Sequence, residues 1–266
     1  MSETSQSLSV ALVQQASTLA VEKNRSLLTA ACAAIAKGRP PVDLLVFPEA
    51  FACDFGSPGS DISEFAEDMD GPFVQHLTQL AGEQGRTIVA GMFERSEDPA
   101  RPYNTLAVVD GRGLRTKYRK VHLYDSFGYK ESDRLLAGEV EPVVLEVTGF
   151  RVGLMTCYDL RFPELARRLV DDGAELLVVP SAWVTGPGKV SHWRTLITAR
   201  AIENTVYVAA AAQPGPRYTG HSMVVSPAGD VMVELEDGDL VAEATLERRV
   251  LERTRAENPS LANRRL

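Results

Sequence analysis

Nowhere in this chain do apolar residues run unbroken for the length a bilayer-spanning helix requires. The start, Met1-Ser-Glu-Thr-Ser-Gln-Ser, has neither the charged nor the apolar stretch of a secretory leader. These absences lead us to expect a cytoplasmic protein that engages no membrane. Cysteine is scarce: Cys32, Cys53 and Cys157 are an odd set of three, without the spacing of a disulfide framework or a zinc site, which fits a reducing compartment. Basic residues form no long run and the net charge is −8, so the electrostatic footprint of a nucleic-acid binder is missing. No glycine-rich phosphate loop follows a strand, no His/Asp/Glu pair has metal-ligand spacing on a helix, and no internal repeat is apparent. No Pro/Gly/Ser-rich linker divides the chain either. We therefore expect one domain over residues 1–266, with about 258–266 as a tail that leaves the body, and neither metal nor cofactor.

What is present suits a large core, since 44% of residues are hydrophobic and 24% charged. Short apolar runs predict strands at 8–14, 42–47, 88–94, 103–109, 114–118, 143–147, 151–156, 174–179, 206–212, 221–226, 230–235 and 240–246. Helical spacing predicts helices at 21–37, 72–84, from 162 to a closing Gly173, at 191–204 and at 248–256. Segments 50–70 and 123–142 lack periodicity and read as surface loops, with Cys53 exposed in the first. Cys32 lies on a helix too apolar to expose a reactive thiol. Alternation of strands and helices calls for a layered α/β architecture.

The chain is organised around residues 151–173, where a strand runs into a helix and Cys157 falls in the turn between them. Pro163 suits a first helical position and Glu164 complements the positive end of the helix dipole. Free turn N–H groups and that dipole would lower the thiol pKa and supply donors for an oxyanion, as an acyl-transferring cysteine requires. A simply packed cysteine is the competing reading. Glu49 ends the apolar run at Phe47-Pro48, beyond the carboxyl end of a strand, where ligands of α/β sheets gather. Lys120 emerges from the end of the predicted hairpin. Taken alone, Glu49 is a loop carboxylate and Lys120 one more cation on a solvated strand.

Cys157-Tyr-Asp-Leu-Arg-Phe-Pro-Glu164 resembles the nucleophile motif of the nitrilase superfamily of carbon–nitrogen hydrolases. Phe47-Pro-Glu49-Ala resembles the segment that carries the family's general-base glutamate, and Tyr118-Arg-Lys120-Val-His-Leu the segment that carries its lysine. All three occur in the family's order, and the similarity runs from about Val10 to the C-terminus. The resemblance implies an α/β fold, the four-layer α-β-β-α sandwich, and a homodimer paired through helices near the nucleophile. It also implies that Glu49 acts as base and then as acid. Lys120 and the N–H of Tyr158 would hold the oxyanion, and a thioester on Cys157 would be hydrolysed by water. Glu131, in a loop shorter than in several family members, matches a second family glutamate that orients the lysine or substrate.

Trp183, after Pro180-Ser-Ala, is expected as a pocket wall or as a packing residue. Arg200 and Glu203 form an ordinary helical ion pair. The motifs most resemble the amidase branch acting on small acids such as ω-amido-dicarboxylates or deaminated glutathione, so the expected partners are a small-molecule amide and water. A substrate carboxylate would then need a cation, for which Arg161, Lys189, Arg194 and Arg217 are available. Two other readings stay open: nitrile or N-carbamoyl hydrolysis, and a catalytically silent binding or regulatory protein of this fold. A Cys–His hydrolase would need His76, His122, His192 or His221 beside Cys157, with spacing leaving His122 and His221 in play.

Overall fold

In the computed structural model, which describes residues 6–38 and 41–265, the first strand, β1 (Ser7–Gln14), is apolar on both sides. Leu8, Val10 and Leu12 face one core while Ala11 and Val13 face another. Successive strand residues point to opposite faces, so such a strand must be covered twice. Helices α1 (Val21–Ile35) and α2 (Pro72–Gln84) cover the second side. Their Leu28, Cys32, Phe73 and Leu77 pack against Leu45, Ile88 and Ala107 of β2 (Leu44–Val46), β3 (Thr87–Glu94) and β4 (Tyr103–Asp110). A fifth strand, β5 (Gly113–Arg119), follows, and a two-residue hairpin, β6 (Asp125–Ser126) with β7 (Tyr129–Lys130), interrupts the expected loop at 123–142.

The second sheet is built from β8 (Val144–Val147), β9 (Phe150–Leu154), β10 (Leu176–Val178), β11 (Tyr207–Ala210), β12 (Met223–Val225) and β13 (Val231–Glu234). Helices α3 (Pro163–Asp171) and α4 (Lys189–Asn204) lie outside it, with Leu169 and Trp193 in its core. The last strand, β14 (Leu240–Glu247), returns to pair antiparallel with β1, and α5 (Arg248–Glu257) follows. Leu8, Val10 and Leu12 of the first sheet share one core with Val152, Leu154 and Val178 of the second, which makes the four-layer α-β-β-α sandwich.

The two sheets repeat one plan. The order β14-β1-β2-β3-β4-β5 matches β8-β9-β10-β11-β12-β13 in every pairing, with two parallel pairs in the middle and antiparallel pairs at both ends. Phe47-Pro48-Glu49 after β2 thus corresponds to Val179-Pro180-Ser181 after β10, and the residues themselves show it locally, Asp43-Leu-Leu-Val-Phe-Pro-Glu-Ala50 against Glu175-Leu-Leu-Val-Val-Pro-Ser-Ala182, although no repeat of greater length is apparent.

Three expectations are corrected. Cys53 is buried, because Ala50, Cys53 and Phe55 turn inward against Phe93, Leu135 and Tyr218 before the chain surfaces at Ser57. The tail does not leave the body: Leu261 packs on the core and Arg264 pairs with Asp171. Helix α4 begins at Lys189, two residues early, because Gly188 takes a left-handed conformation (φ 71°) that starts the helix there.

Candidate active site

Glu49, Lys120 and Cys157 each sit just beyond the carboxyl end of a strand, β2, β5 and β9 respectively, and the face-to-face sheets bring them together. Chain geometry at Glu49 is tightly prescribed. Gly91 on β3 approaches so closely that a Cβ there would lie 2.4 Å from the Ala50 nitrogen and 2.6 Å from the Glu49 Cα. Ala50 adopts a left-handed φ of 51°. Its carbonyl accepts the Ser17 hydroxyl (2.9 Å), and the Glu49 carbonyl accepts the Gln213 side-chain amide (2.8 Å).

The side chains form a buried charged cluster, with Glu49, Lys120 and Glu131 at 1%, 2% and 2% exposure. Lys120 Nζ donates to Glu49 Oε1 (2.9 Å) and to both Glu131 oxygens (3.1 and 2.9 Å). Asn104 Nδ2 bridges the same carboxylates at 2.7 and 3.3 Å. The second Glu49 oxygen accepts the Ala182 N–H (2.7 Å), and Glu131 Oε2 accepts the Tyr124 N–H (2.5 Å). Burial alone would neutralise Lys120, but the two glutamate charges overcome it and hold its pKa well above the ordinary lysine range. Burial raises the Glu131 pKa against the pull of Lys120, and the Glu49 charge adds to the rise.

Cys157 is likewise buried, beginning a single helical turn, Cys157–Arg161, ahead of α3. Its φ of 47° is left-handed, a strained setting for a residue with a Cβ. The expectation of a lowered thiol pKa is overturned. Burial first, and the Glu49 charge second, raise it well above the usual value, Lys120 pulling the other way. A short turn's dipole is outweighed by desolvation and a carboxylate, so the resting sulfur holds its proton. The Cys157 N–H is not free either, donating to the Pro180 carbonyl at 3.0 Å, whereas the Tyr158 N–H has no acceptor among the described residues.

A cavity of about 580 Å³ opens onto this cluster. Phe55, Tyr124, Phe127, Tyr158, Trp183 and Tyr218 provide much of its wall. Trp183 is held by its indole N–H on the Lys189 carbonyl (3.0 Å). Arg161 lies over the Trp183 ring at 5.1 Å, and Lys189 Nζ reaches the Tyr124 hydroxyl at 3.0 Å and the Phe127 ring at 3.9 Å. Neither Arg161 nor Lys189 has a carboxylate partner among the described residues. Burial, and then the Arg161 charge, lower the Lys189 pKa. Arg217 lines the cavity but is paired with Asp54 (3.1 Å), and Arg194 is paired with Glu234 (2.6 Å) and lines none of it.

Other residues fall elsewhere. His122 bonds to Asp159, His221 to Glu234, and His76 to Thr29; none of the four histidines lines the cavity. Arg200 pairs with Glu203 (2.9 Å) and caps the Leu160 carbonyl (2.8 Å). Burial pushes the Cys32 and Cys53 thiols up to about 12. Sequence reasoning missed Asn104, Gln213 and Lys189's place beside Arg161. For Asn104 a signal existed: it is a strand-averse polar residue in the mostly apolar run 103–109. Gln213 had none, since it acts across more than 160 residues of chain.

A sequence profile described as carbon-nitrogen hydrolase matches residues 9–256. The chain belongs to the carbon-nitrogen hydrolase family. This carbon-nitrogen hydrolase is 38% identical over 258 residues to the deaminated glutathione amidase of Escherichia coli O157:H7, covering 96% of this chain and 97% of the relative. Its fold is shared by the nitrilase-superfamily protein Nit3 of Saccharomyces cerevisiae, with a TM-score of 0.88, 30% identity and 98% coverage of both chains. It is also similar to a variant amidase from Nesterenkonia sp. AN1 with the acetamide moiety of fluoroacetamide added covalently at its active-site cysteine. There the TM-score is 0.81, the identity 30%, and coverage 99% of this chain and 95% of that one. The carbon-nitrogen hydrolase fold and four-layer architecture read from the motifs are those observed.

Proposed function

We propose that this enzyme is an amidase that removes the terminal amide of a small carboxylic acid through a thioester on Cys157, releasing ammonia. Glu49 takes the Sγ proton as the sulfur attacks the amide carbon. The carbonyl oxygen, now an anion, is held by Lys120 Nζ and the Tyr158 N–H. Collapse breaks the carbon–nitrogen bond, and Glu49 returns its proton to the departing nitrogen. Water then gives a proton to Glu49 and attacks the thioester; the acid leaves and the proton goes back to sulfur. Glu131 keeps Lys120 charged and aimed. A thiol that rests protonated suits this sequence, because the base beside it is needed for attack.

The observation that carries the substrate reading is the pair Arg161 and Lys189, two cations of the cavity beside Cys157 whose contacts are to aromatic rings, the Tyr124 hydroxyl and His192, with no carboxylate partner among the described residues. They suit the carboxylate of the acid, with Trp183 as an aromatic wall, and the similarity to a deaminated glutathione amidase supports the same class. We further propose a single domain over residues 1–266, a cytoplasmic location and a homodimer; no helix among the described residues is long and apolar enough to cross a membrane.

Ammonia release from purified protein tests the proposal. Cys157→Ala is expected to lose turnover while keeping its fold. α-Ketoglutaramate, succinamate or deaminated glutathione should be cleaved in preference to a neutral amide of similar size or the matching nitrile. A charge-assisted contact is worth ~1.5–3 kcal/mol, so the preference should be roughly ten- to hundredfold in kcat/KM. Arg161→Met and Lys189→Met should erode it while sparing the neutral amide. Equal rates for charged and neutral amides would refute the carboxylate site, and faster nitrile turnover would refute the amidase assignment.

A further inference from the structure

The chemistry above makes no use of Asp159, although its side chain is fully buried two residues after the nucleophile. Among the described residues no Lys or Arg pairs with it, so the carboxylate depends on hydrogen bonds. Oδ2 accepts the Tyr118 hydroxyl (2.6 Å) and the Thr156 N–H (2.9 Å). Oδ1 accepts the His122 N–H (3.0 Å) and meets the His122 ring at Nδ1 (2.8 Å). The His122 ring in turn lies flat on Phe162, with centroids 3.8 Å apart and planes 7° apart.

These contacts join the two segments that carry opposing parts of the reaction. Tyr118 and His122 stand two residues before and two after Lys120. Thr156 and Asp159 enclose Cys157, so the bond between them closes a loop around the one left-handed residue of that turn. An L-residue rarely holds such a conformation unless neighbours over-determine it. Tyr118 is 1% exposed, and burial together with the Asp159 charge keeps its hydroxyl protonated and donating. The lysine segment otherwise reaches the nucleophile segment from the opposite sheet, across the core, where nothing covalent sets their spacing.

We propose that Asp159, with Tyr118 and His122, is a positioning unit that registers Lys120 against the Cys157 sulfur and holds the nucleophile's backbone conformation. The proposal rests on the roles given above to Lys120 and Cys157. It predicts a loss in the chemical step without a loss of substrate binding, because none of the three side chains lines the cavity.

The experiment measures kcat and KM of the full-length protein and counts reactive Cys157 by iodoacetamide labelling and peptide mass, so that kcat is expressed per competent site. Asp159→Asn keeps the shape but loses acceptors on one side. A misplacement of about 1 Å costs on the order of 100-fold, and that fall in kcat is expected with KM little changed. Tyr118→Phe keeps the ring and removes one donor, with an expected fall of about five- to tenfold, the worth of one hydrogen bond. If Asp159→Asn does not fold, Tyr118→Phe and His122→Phe carry the test, the latter retaining the stack on Phe162. Wild-type kcat per labelled site in both, or a rise in KM with kcat kept, overturns the proposal. Cys157→Ala is run beside them. If it is inactive while Tyr118→Phe is normal, only the positioning unit falls; if it keeps full turnover, the nucleophile assignment falls and this proposal with it.

Discussion

Replacing Lys120 by Met exposes how the buried cluster balances its charge. In the native protein one ammonium answers two carboxylates, at 2.9 Å to Glu49 and 3.1 and 2.9 Å to Glu131. Without it, the buried Glu49 and Glu131 carboxylates face each other with Asn104 bridging them. Breaking a buried ion pair by removing one partner costs about 3–5 kcal/mol. For a chain of this size each kcal/mol lowers Tm by about 2–4 °C, so a drop of roughly 6–20 °C is expected. The loss should depend on pH, with a definite sign. One of the two glutamates will keep a proton in the folded variant that the unfolded chain releases near its ordinary value of 4.5. The folded state then binds more protons, and stability falls as pH rises above that value toward the raised folded pKa. Wild type has a slope of the same sign, because its Glu131 pKa is already raised, but a shallower one, because Lys120 pulls that pKa down; the raised pKa of Lys120 itself acts only above the ordinary lysine value of 10.5, where stability is lost as pH climbs. Adding Glu131→Gln should restore most of the Tm and flatten the slope. It should not restore activity, since in the proposed mechanism Lys120 is an oxyanion donor, and loss of one such donor costs about 100- to 1,000-fold in kcat. Thermal melts of both variants from about pH 5, just above the ordinary carboxylate range, to about pH 8, with kcat at each pH, make the measurement. A Lys120→Met protein that melts within a degree or two of wild type at every pH, or a double variant no more stable than the single, would refute the charge-balance argument.

Because the Glu49 charge helps raise the Cys157 pKa, Glu49→Gln should move the pH midpoint of iodoacetamide inactivation downward even as turnover is lost; an unmoved or higher midpoint contradicts the electrostatics. Gly91→Ala should displace the Glu49–Ala50 backbone, which lies 2.4–2.6 Å from the new Cβ and cannot yield as a flexible side chain would. Overpacking of this kind costs about 1–3 kcal/mol, and kcat should fall along with Tm; an active Gly91→Ala enzyme of native stability would show that the close approach is not needed.

Much of this organisation can be read without coordinates. Local patterning places the strands and helices because burial on one or both faces demands it, and the chain-order motifs around Glu49, Lys120 and Cys157 identify the family. Each of the three ends a strand within a few contiguous residues and is legible through its motif, whereas their meeting at one edge of the sheets depends on the pairing of distant strands. What depends on distant parts of the chain meeting was decided only by the fold. Cys53 looked exposed because segment 50–70 lacks periodicity and is rich in Gly, Pro and acids, yet Leu135 and Tyr218, more than 80 positions away, close over it. The thiol pKa followed desolvation and the charge of Glu49, more than 100 residues upstream, rather than the local helix end. Of four cations offered for a substrate carboxylate, pairing with Glu234 and Asp54 removed Arg194 and Arg217 and left Arg161 and Lys189. Charge and solvation act through space, so a side chain's local sequence fixes its chemistry only where its surroundings are local too.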